Sequence, residues 1–554
     1  MTETTFSPWP ADLAAQYRAL GYWRGVGLTT PIREQARRAP DHTALIDQLG
    51  RRFTYAELDR TADRVATALR QWGLQAGDRL ILQLPNIAEL VFLFLGSIRA
   101  GVLPVMVLPT HREQEVTHLA RGSGAVAYAI PDVLATYDFR TLARRIRETV
   151  PGLSRILVVG DPGDTPAATA YDTLVAQVAE PWPAPGPDPD PSSVALFLHS
   201  GGTSGLPKLI PRTHDDYGYN ARASAELCGL GPSTVYLAAL SAAHNFPLAC
   251  PGILGTFIAG GTVVLARDPS PASIFALIAE HKATITAAVP TLAALWLEAR
   301  EFDHADLSSL RVIQVGGAKL APSVAARLHD VFGVRVQQVF GMAEGLLNFT
   351  RDDDPRDIVE TTQGRPLSPH DELRIVDEAG ADVPSGEVGE LWTRGPYTIR
   401  AYAASAEVNR RAFTPDGFYR TGDMVRRLPG GHLVVEGRAG DQINRGAEKF
   451  SAAEIEDHLL DHPAVREVAV VGVPDPDLGQ ASCAMIRPVD TPPTLRDLRR
   501  FLRERGLATY KLPDHMRMVG EIPLTRFGKI DRKRLVAHYC ETLPSPPVVS
   551  DEVV

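Results

Sequence analysis

The sequence contains little cysteine, methionine and tryptophan. There are four cysteines, seven methionines and six tryptophans among 554 residues. The cysteines are far apart and show neither the spacing of a zinc site nor that of a disulfide framework: Cys228, Cys250, Cys483 and Cys540. Scattered cysteines of this kind are typical of a reduced cytosolic enzyme.

The sequence also lacks an apolar segment that could cross a membrane. Its first five residues are polar and have no signal-peptide core. The most apolar stretch, residues 90–108, is interrupted by Arg99 and Pro104. We therefore expect a soluble, cytoplasmic protein with no membrane partner.

Positive charge is not in excess. Lysine and arginine number 57 against 66 aspartates and glutamates, which gives a formal net charge of −9. This balance argues against a nucleic-acid partner, so an anionic ligand has to be held by local positive charge. With 554 residues, 44% hydrophobic and 22% charged, the chain is expected to form two or more globular domains.

Helix-like and strand-like segments alternate from about residue 29 onward. Apolar residues recur with a helical period over residues 55–72, whereas residues 79–84 are typical of a buried strand. A proline-rich stretch at 181–191 predicts an exposed linker. The alternation predicts an α/β fold with several layers rather than an all-β fold.

A change in composition near residues 436–446 predicts a domain boundary. A helix over 452–460 and a strand over 468–471 begin a smaller α+β unit there. We predict a large N-terminal domain over 1–436, a hinge region over 437–446 and a small C-terminal lid domain over 447–543. The proline-, serine- and acid-rich tail, 544–554, is predicted to be disordered.

The most informative segment is S-G-G-T-S-G-L-P-K, residues 200–208, which follows a strand-like run at 194–198. Its glycines leave backbone N–H groups accessible, its hydroxyls add donors, and Lys208 adds a positive charge, which suits a phosphate. It is not a Walker A loop, because Pro207 precedes the lysine and Leu209 follows it. The segment predicts a different type of nucleotide loop.

Five further short motifs follow in order along the chain: Gly316-Gly317-Ala318, residues 340–345 (F-G-M-A-E-G), residues 419–423 (Y-R-T-G-D), Gly437-Arg438 and residues 523–529 (P-L-T-R-F-G-K). Together with the phosphate loop they resemble the adenylate-forming superfamily of acyl-CoA synthetases, peptide-synthetase adenylation domains and luciferases. The resemblance covers about residues 30–540. It implies ATP and Mg²⁺ as cofactors, and a small mobile C-terminal domain.

The resemblance implies which residues hold ATP. The phosphate loop would bind the β- and γ-phosphates through Ser200, Gly201, Gly202, Thr203, Ser204, Gly205 and Lys208. Gly316, Gly317, Ala318 and Phe340 would enclose the adenine. Gly341, Met342 and Ala343 would also belong to the ATP site. Asp423 would accept hydrogen bonds from both ribose hydroxyls, and Arg438 would contact the ribose or the phosphates.

The resemblance also implies the catalytic residues. Lys529 would reach from the C-terminal domain to the α-phosphate and the substrate carboxylate, Glu344 would help to hold Mg²⁺, and His244 belongs to the same catalytic set. The reacting carboxylate is already ionised at neutral pH and requires no general base. The chemistry instead requires a metal, a lysine and backbone donors that stabilise negative charge.

The segment at 242–252 (A-A-H-N-F-P-L-A-C-P-G) resembles the stand-alone aryl-acid AMP ligases of siderophore pathways. Fatty-acid enzymes need a long apolar tunnel, and amino-acid enzymes need an aspartate for the ammonium group. This segment instead groups an aromatic ring, an amide and a thiol. The resemblance implies that Asn245 hydrogen-bonds an ortho-hydroxyl and that Phe246 lies against the ring. The remaining implied pocket residues are Cys250, Gly316 and Leu347.

Two positions favour salicylate. Enzymes for 2,3-dihydroxybenzoate tend to have serine in place of Cys250 and valine in place of Leu347. A thiol is a poor hydrogen-bond donor and acceptor, and leucine adds bulk. Both residues therefore disfavour binding of a ring that has a hydroxyl group at position 3. Cys250 is equally compatible with a purely apolar role. The remaining candidate substrates are 2,3-dihydroxybenzoate and 3-hydroxyanthranilate.

The acyl acceptor is left open by the sequence. An aryl carrier protein bearing a phosphopantetheine thiol is the first candidate, and coenzyme A is the alternative. A non-catalytic nucleotide-binding protein is the alternative of another class. Gly440 and Ala447 depart from the usual family residues near the hinge, and these departures concern thioester formation rather than adenylation.

Two features of the C-terminal unit have alternative interpretations. The outward arginines of residues 496–505 suit an acidic carrier protein, although a solvated helix face is favoured. His458 and His462 lie one helical turn apart, as metal ligands do, but no third ligand is nearby in the sequence. We expect them to be exposed helix residues.

Overall fold

Alternating strands and helices make up most of the chain, as the sequence pattern predicts. The computed structural model describes residues 9–179, 189–200, 207–438, 442–445, 448–475, 478–505, 507, 511–525 and 530–541. The proline-rich linker, apart from residues 189–191, and the predicted disordered tail lie outside these residues.

The strands, in chain order, are β1 Thr43–Ile46, β2 Arg52–Thr54, β3 Arg79–Leu82, β4 Leu103–Met106, β5 Ala127–Pro131, β6 Val133–Leu134, β7 Tyr137–Asp138, β8 Arg155–Val159, β9 Ala168–Ala170, β10 Val194–His199, β11 Leu209–Thr213, β12 Val235–Ala238, β13 Thr262–Leu265, β14 Ile285–Ala288, β15 Val312–Gly316, β16 Arg335–Gly341, β17 Leu347–Phe349, β18 Arg365–Pro366, β19 Glu372–Val376, β20 Gly389–Arg394, β21 Tyr419–Arg427, β22 Leu433–Arg438, β23 Gln442–Arg445, β24 Glu448–Ser451, β25 Val465–Asp475, β26 Gly479–Pro488 and β27 His515–Met518.

The helices, in chain order, are α1 Ala11–Ala19, α2 Thr30–Arg38, α3 Tyr55–Gln71, α4 Ala88–Ala100, α5 Glu113–Ser123, α6 Phe139–Thr149, α7 Tyr171–Ala176, α8 His214–Leu227, α9 Asn245–Ala249, α10 Gly252–Ala259, α11 Pro271–His281, α12 Pro290–Arg300, α13 Pro322–Phe332, α14 Arg356–Thr361, α15 Ala406–Ala412, α16 Ala452–Leu460, α17 Leu495–Glu504 and α18 Arg532–Glu541.

Two large, mostly parallel sheets form the N-terminal part of the molecule. One has seven strands in the order β11-β10-β4-β3-β5-β8-β9, and the other has nine in the order β18-β17-β16-β15-β14-β12-β13-β1-β2. Their central strands are buried throughout, which requires helices on both faces and explains their unbroken apolar runs. The predicted α/β fold is confirmed.

The apolar stretch at 90–108 is an internal element of this fold. It comprises most of the almost fully buried helix α4 and then strand β4. Arg99 at the end of α4 bonds Asp59 and Asp63 of α3, so its charge is paired inside the protein. Among the described residues, no helix has the length and apolar character needed to cross a membrane.

The topology places two sequence motifs side by side. Strands β15 and β16 are parallel, and Gly316 is paired in register with Val339, one residue before Phe340. The carboxyl ends of parallel strands share one edge of a sheet, which is where α/β proteins bind ligands. The same edge therefore carries Gly316-Gly317-Ala318 and the motif at 340–345.

A third, antiparallel sheet of four strands, in the order β19-β20-β21-β22, completes the N-terminal part. Strand β22 continues to Arg438, which pairs in register with Asp423 of β21. The domain and hinge boundaries at 436 and 446 stay predictions, because residues 439–441, 446 and 447 lie outside the described residues.

The C-terminal unit is a small α+β structure around a five-stranded sheet. Helix α16 covers the predicted residues 452–460, and the predicted strand at 468–471 lies inside β25. The unit touches the N-terminal part through an ion pair between Lys319 Nζ and Asp457, 2.8 Å long. A second contact is the hydrogen bond from Ser451 to the carbonyl oxygen of Glu436.

The expectation that His458 and His462 are exposed is wrong. Both are half-buried between α16 and α17. Arg505 Nε donates to His458 Nδ1 at 3.1 Å, and the His462 ring packs against Phe501 with 4.9 Å between ring centres. Among the described residues, no three His, Cys, Asp or Glu side chains are grouped to hold a metal ion.

Candidate active site

The two ends of the phosphate loop are held together at the base of the β10–β11 hairpin. The backbone N–H of Ser200 donates to the carbonyl oxygen of Lys208 at 2.9 Å, and Ser200 Oγ accepts from the backbone N–H of Lys208 at 3.0 Å. Residues 201–206, which carry five of the predicted phosphate contacts, lie outside the described residues. The structure therefore describes only the base of the loop.

Glu344 lies in a buried cluster with two tyrosines. The hydroxyl of Tyr402 donates to Glu344 Oε1 at 2.6 Å, and the hydroxyls of Tyr402 and Tyr419 lie 2.9 Å apart. Lys208 Nζ lies 4.8 Å from the centre of the Tyr402 ring. Burial and the negative charge of Glu344 raise the pKa of Tyr402, so it remains a donor at neutral pH. Tyr402 thus connects the phosphate-loop lysine with the carboxylate proposed for Mg²⁺.

Arg212 bonds the segments that carry Ala343 and Tyr397 to strand β11. It was not identified from the sequence. It is fully buried on β11, and its Nε donates to Asp216 at 2.6 Å. One terminal nitrogen donates to the carbonyl oxygen of Ala343 at 2.8 Å, and the other to that of Tyr397 at 3.2 Å. Arg212 therefore fixes the motif at 340–345 relative to the phosphate loop. The sequence signal that could have identified Arg212 is the presence of a charged residue inside an apolar strand.

Asp423 and Arg438 face each other across β21 and β22. Arg438 Nε lies 2.9 Å from Asp423 Oδ1, and Asp423 is only 7% exposed. The backbone N–H of Asp423 donates to Thr421 Oγ1 at 3.0 Å. The structure thus brings together the two residues predicted for the ribose end of the nucleotide.

The residues predicted for the adenine and the adjoining part of the ATP site line the shared edge of β15 and β16. Gly317 and Ala318 are exposed there, Gly341 is exposed, and Phe340 and Met342 are half-buried against the third sheet. A Cβ atom on Gly341 would overlap the Cδ2 methyl of Leu347, so a larger residue here would require the Leu347 side chain to move. The edge is therefore open to a planar ligand beside a packed apolar wall.

Gly316 is closely packed against one wall of the predicted aryl pocket. A Cβ atom placed on Gly316 would lie 2.6 Å from the carbonyl oxygen of Val339 and 3.1 Å from the Phe246 ring. Phe246, Cys250 and Leu347 are buried in the same apolar cluster. The structure thus groups the residues that the resemblance predicts for the ring.

Asn245 lies between a tyrosine and a cysteine. The hydroxyl of Tyr217 donates to Asn245 Oδ1 at 2.8 Å, and Asn245 Nδ2 donates to Cys250 Sγ at 3.4 Å. Cys250 Sγ in turn donates to the backbone oxygen of Asn245, also at 3.4 Å. Burial raises the pKa of Cys250 to about 12, so its thiol is neutral. Tyr217 was not identified from the sequence.

His244 is the residue immediately before helix α9 and is exposed. Its Nδ1 accepts from the backbone N–H of Phe246 at 3.2 Å, which caps the helix that carries Asn245 and Phe246. Lys529, Gly440 and Ala447 lie outside the described residues. The predicted catalytic role of Lys529 therefore stays a prediction.

The N-terminal segment also contributes to the surroundings of the pocket. Tyr17 and Trp23 belong to the apolar cluster that contains Phe246 and Leu347. Trp23 Nε1 donates to the carbonyl oxygen of Pro396 at 2.9 Å, and Arg18 pairs with Asp215. The resemblance began near residue 30, so this packing was not identified from the sequence.

The chain belongs to the AMP-binding enzyme family. The family model for AMP-binding enzymes matches residues 32–403, and the model for the AMP-binding enzyme C-terminal domain matches residues 454–529. The predicted membership of the adenylate-forming superfamily is thereby confirmed.

Similar proteins are known over almost the full length. The chain is 48% identical to the 2,3-dihydroxybenzoate-AMP ligase of Bacillus subtilis, covering 96% of this chain and 97% of that protein. It is 49% identical to the salicyl-AMP ligase / salicyl-S-ArCP synthetase of Mycobacterium tuberculosis, covering 96% and 94%. The apo structure of Mycobacterium smegmatis MbtA has 49% identity and a TM-score of 0.74, covering 96% and 98%.

Proposed function

We propose that this protein activates salicylate with ATP to form salicyl-AMP and pyrophosphate. The phosphopantetheine thiol of an aryl carrier protein then takes the acyl group, losing its proton and releasing AMP, as one step of siderophore or other natural-product biosynthesis. Membership of the AMP-binding family supports adenylate formation, and the arrangement around Asn245 and Cys250 supports an aryl acid as substrate.

In the first half-reaction, a salicylate carboxylate oxygen forms a bond to the α-phosphorus of ATP, and the bond from that phosphorus to the bridging oxygen of pyrophosphate breaks. No proton has to move, because the carboxylate is already ionised. Lys208 and the backbone of the phosphate loop hold the departing pyrophosphate. Lys529 stabilises the charge that develops between the carboxylate and the α-phosphate.

Glu344 fits the expected Mg²⁺ site by its chemistry. Mg²⁺ is bound in nucleotide enzymes by one or two carboxylates together with phosphate oxygens, so a single carboxylate beside the phosphate loop is sufficient. The hydrogen bond from Tyr402 occupies Oε1 and holds the carboxylate in one orientation. When bound, Mg²⁺ would neutralise phosphate charge in the transition state.

The observation that carries the choice of salicylate is the mutual bonding of Cys250 and Asn245. The thiol donates to the backbone of Asn245, and its sulfur accepts from the side chain of Asn245, so its weak polar capacity is used inside the protein. Leu347, 1% exposed, adds bulk to the same cluster. A 3-hydroxyl on the ring would lose its bonds to water without finding a partner there.

A panel of benzoic acids in ATP–pyrophosphate exchange tests this proposal. We expect salicylate to give the highest kcat/KM, ahead of 2,3-dihydroxybenzoate and 3-hydroxyanthranilate. A higher value for either of the other two would assign the enzyme to that acid. Background exchange with every acid would favour a non-catalytic nucleotide-binding protein.

The acceptor is tested separately. Purified salicyl-AMP complex is offered either coenzyme A or an aryl carrier protein bearing its phosphopantetheine arm, and thioester formation is followed. We expect transfer to the carrier protein to be faster. Faster transfer to coenzyme A would make the protein an aryl-CoA ligase.

A further inference from the structure

Tyr217 is buried one turn into helix α8, and its hydroxyl donates to Asn245 Oδ1 at 2.8 Å. Burial raises the pKa of Tyr217 well above its ordinary value, so the hydroxyl keeps its proton. An amide oxygen can only accept, whereas the amide nitrogen can only donate. Tyr217 therefore bonds the oxygen end of the Asn245 amide, and how strongly that end is preferred depends on how well the hydroxyl donates relative to how well it accepts.

A buried ion pair strengthens Tyr217 as a donor. The guanidinium carbon of Arg212 lies 4.7 Å from the centre of the Tyr217 ring, and Arg212 is bonded to Asp216 of the same helix. A cation over the ring face is attracted to its π electrons, and the positive charge of Arg212 opposes the effect of burial, which raises the pKa of Tyr217. The hydroxyl is thus a better donor and a poorer acceptor.

The opposite side of the Asn245 amide is held by Cys250. One of the two Nδ2 hydrogens is directed at Cys250 Sγ. With Oδ1 bonded to Tyr217, the second Nδ2 hydrogen is the donor left for a ligand. A cysteine sulfur accepts and donates weakly and would tolerate either orientation of the amide, so Cys250 alone cannot set it.

We propose that Tyr217 is a positioning residue that orients the Asn245 amide so that its N–H group, and not its oxygen, faces the ortho substituent of the aryl acid. This inference rests on the proposed function. In salicylate the ortho-hydroxyl proton is held by the neighbouring carboxylate, so the phenolic oxygen faces outward as an acceptor. In 2-aminobenzoate an outward N–H would meet the Asn245 N–H instead. Tyr217 thus selects ortho-oxygen acids over ortho-amino acids.

The test compares kcat/KM for salicylate, benzoate and 2-aminobenzoate in wild type and in Tyr217→Phe. Benzoate has no ortho group, so its kcat/KM does not depend on the orientation of the Asn245 amide. We expect Tyr217→Phe to lower the salicylate-to-benzoate ratio roughly 3- to 10-fold, the loss of one neutral hydrogen bond. The loss should appear mainly in the KM for salicylate, because the bond is present before and during the reaction. The salicylate-to-2-aminobenzoate ratio should fall as well.

Tyr219→Phe is the matched control. Tyr219 lies on the same helix, and its hydroxyl donates to Ser368 Oγ at 2.9 Å. We expect its substrate ratios to equal those of wild type. A ratio of two substrates on one enzyme preparation is independent of the fraction folded, so partial misfolding of a variant does not obscure the result.

A double-mutant cycle checks that Tyr217 acts through Asn245. In an Asn245→Ala background, Tyr217→Phe should leave the salicylate-to-benzoate ratio unchanged. An equal loss for all three acids in Tyr217→Phe, no loss at all, or the same loss in the Asn245→Ala background would overturn the proposal. Failure of the proposed function is distinguishable, because wild type itself would then show no exchange with any of these acids.

Discussion

The hydroxyl of Tyr402 donates to Oε1 of Glu344 at 2.6 Å, and the two residues are 2% and 6% exposed. A hydrogen bond to a buried carboxylate is stronger than one between neutral groups, because the charge has lost its water. The bond also fixes the orientation in which Glu344 would meet a metal ion. Tyr402 is therefore a natural first target for mutation.

We predict that Tyr402→Phe lowers kcat for adenylation about 10-fold and raises the Mg²⁺ concentration needed for half-maximal activity. The physical reason is that Glu344 loses the donor that fixes its orientation. A Mg²⁺ titration of ATP–pyrophosphate exchange measures this. Tyr236→Phe is the control, because the Tyr236 hydroxyl is buried without a hydrogen-bond partner among the described residues. An unchanged Mg²⁺ dependence in Tyr402→Phe would contradict the prediction.

Cys250→Ser should raise the ratio of kcat/KM for 2,3-dihydroxybenzoate over salicylate, by roughly 5-fold. A serine hydroxyl donates and accepts far better than a thiol, so it can satisfy a ring 3-hydroxyl. Cys228→Ser is a matched control, since Cys228 is also buried but donates to Gln337. If Cys250→Ser leaves the ratio where it was, Cys250 has a purely apolar role.

Gly316→Ala should raise the KM for the aryl acid about 10-fold. The added methyl would lie 2.6 Å from the carbonyl oxygen of Val339 and would press on the Phe246 ring, and overpacking of this kind costs about 1–3 kcal/mol. Initial rates at varied salicylate measure it. In Gly231→Ala, where the added methyl meets nothing within 4 Å, KM should stay at the wild-type value. Equal KM values in the two variants would show that the contact between Gly316 and Phe246 does not limit binding of the aryl acid.

Because of Asp371, the free energy of unfolding should fall as the pH rises. Burial raises the pKa of Asp371 to about 7 despite hydrogen bonds from Tyr397 and Ser368 to Oδ2. The folded state therefore holds a proton that the unfolded state releases near pH 4. The stabilisation that Asp371 contributes is fully present below pH 4. It is lost as the pH rises through about 7, by up to about 1.4 kcal/mol per pH unit.

Urea unfolding of Asp371→Asn at pH 5, 6, 7 and 8 tests this dependence. The variant should lose less stability than wild type between pH 5 and 7. Asp164→Asn, at a side chain that is 94% exposed, should follow the wild-type curve. Parallel curves for wild type and Asp371→Asn would show that Asp371 is ionised throughout.

Lys529→Ala should lower the rate of salicyl-AMP formation by about 10²- to 10³-fold, the typical loss on removing one preorganised charge stabiliser. Single-turnover formation of salicyl-AMP is the measurement. Lys533→Ala, at an exposed position on α18, should behave as wild type. If the Lys529→Ala enzyme forms salicyl-AMP at the wild-type rate, Lys529 is not a catalytic residue.

The fold was predictable because its signals are local. Helices α3 and α16 and strand β10 follow from hydrophobic periods of a few residues, and the adenylate-forming motifs are short strings at strand ends. His458 and His462 show where local patterns fail. Their exposure depended on Arg505 and Phe501, more than 30 residues away, and helical spacing contains no information on that packing.

The sequence by itself determined the family, the α/β architecture and the identity of the motif residues, because each depends on residues that are adjacent or at fixed spacing. Only the tertiary structure decided which groups support them. Tyr217 reaches Asn245 across 28 residues, Tyr402 reaches Glu344 across 58, and Arg212 reaches Ala343 across 131. Such contacts exist only after the sheets have packed together, since hydrogen bonding depends on distance in space and not on order along the chain.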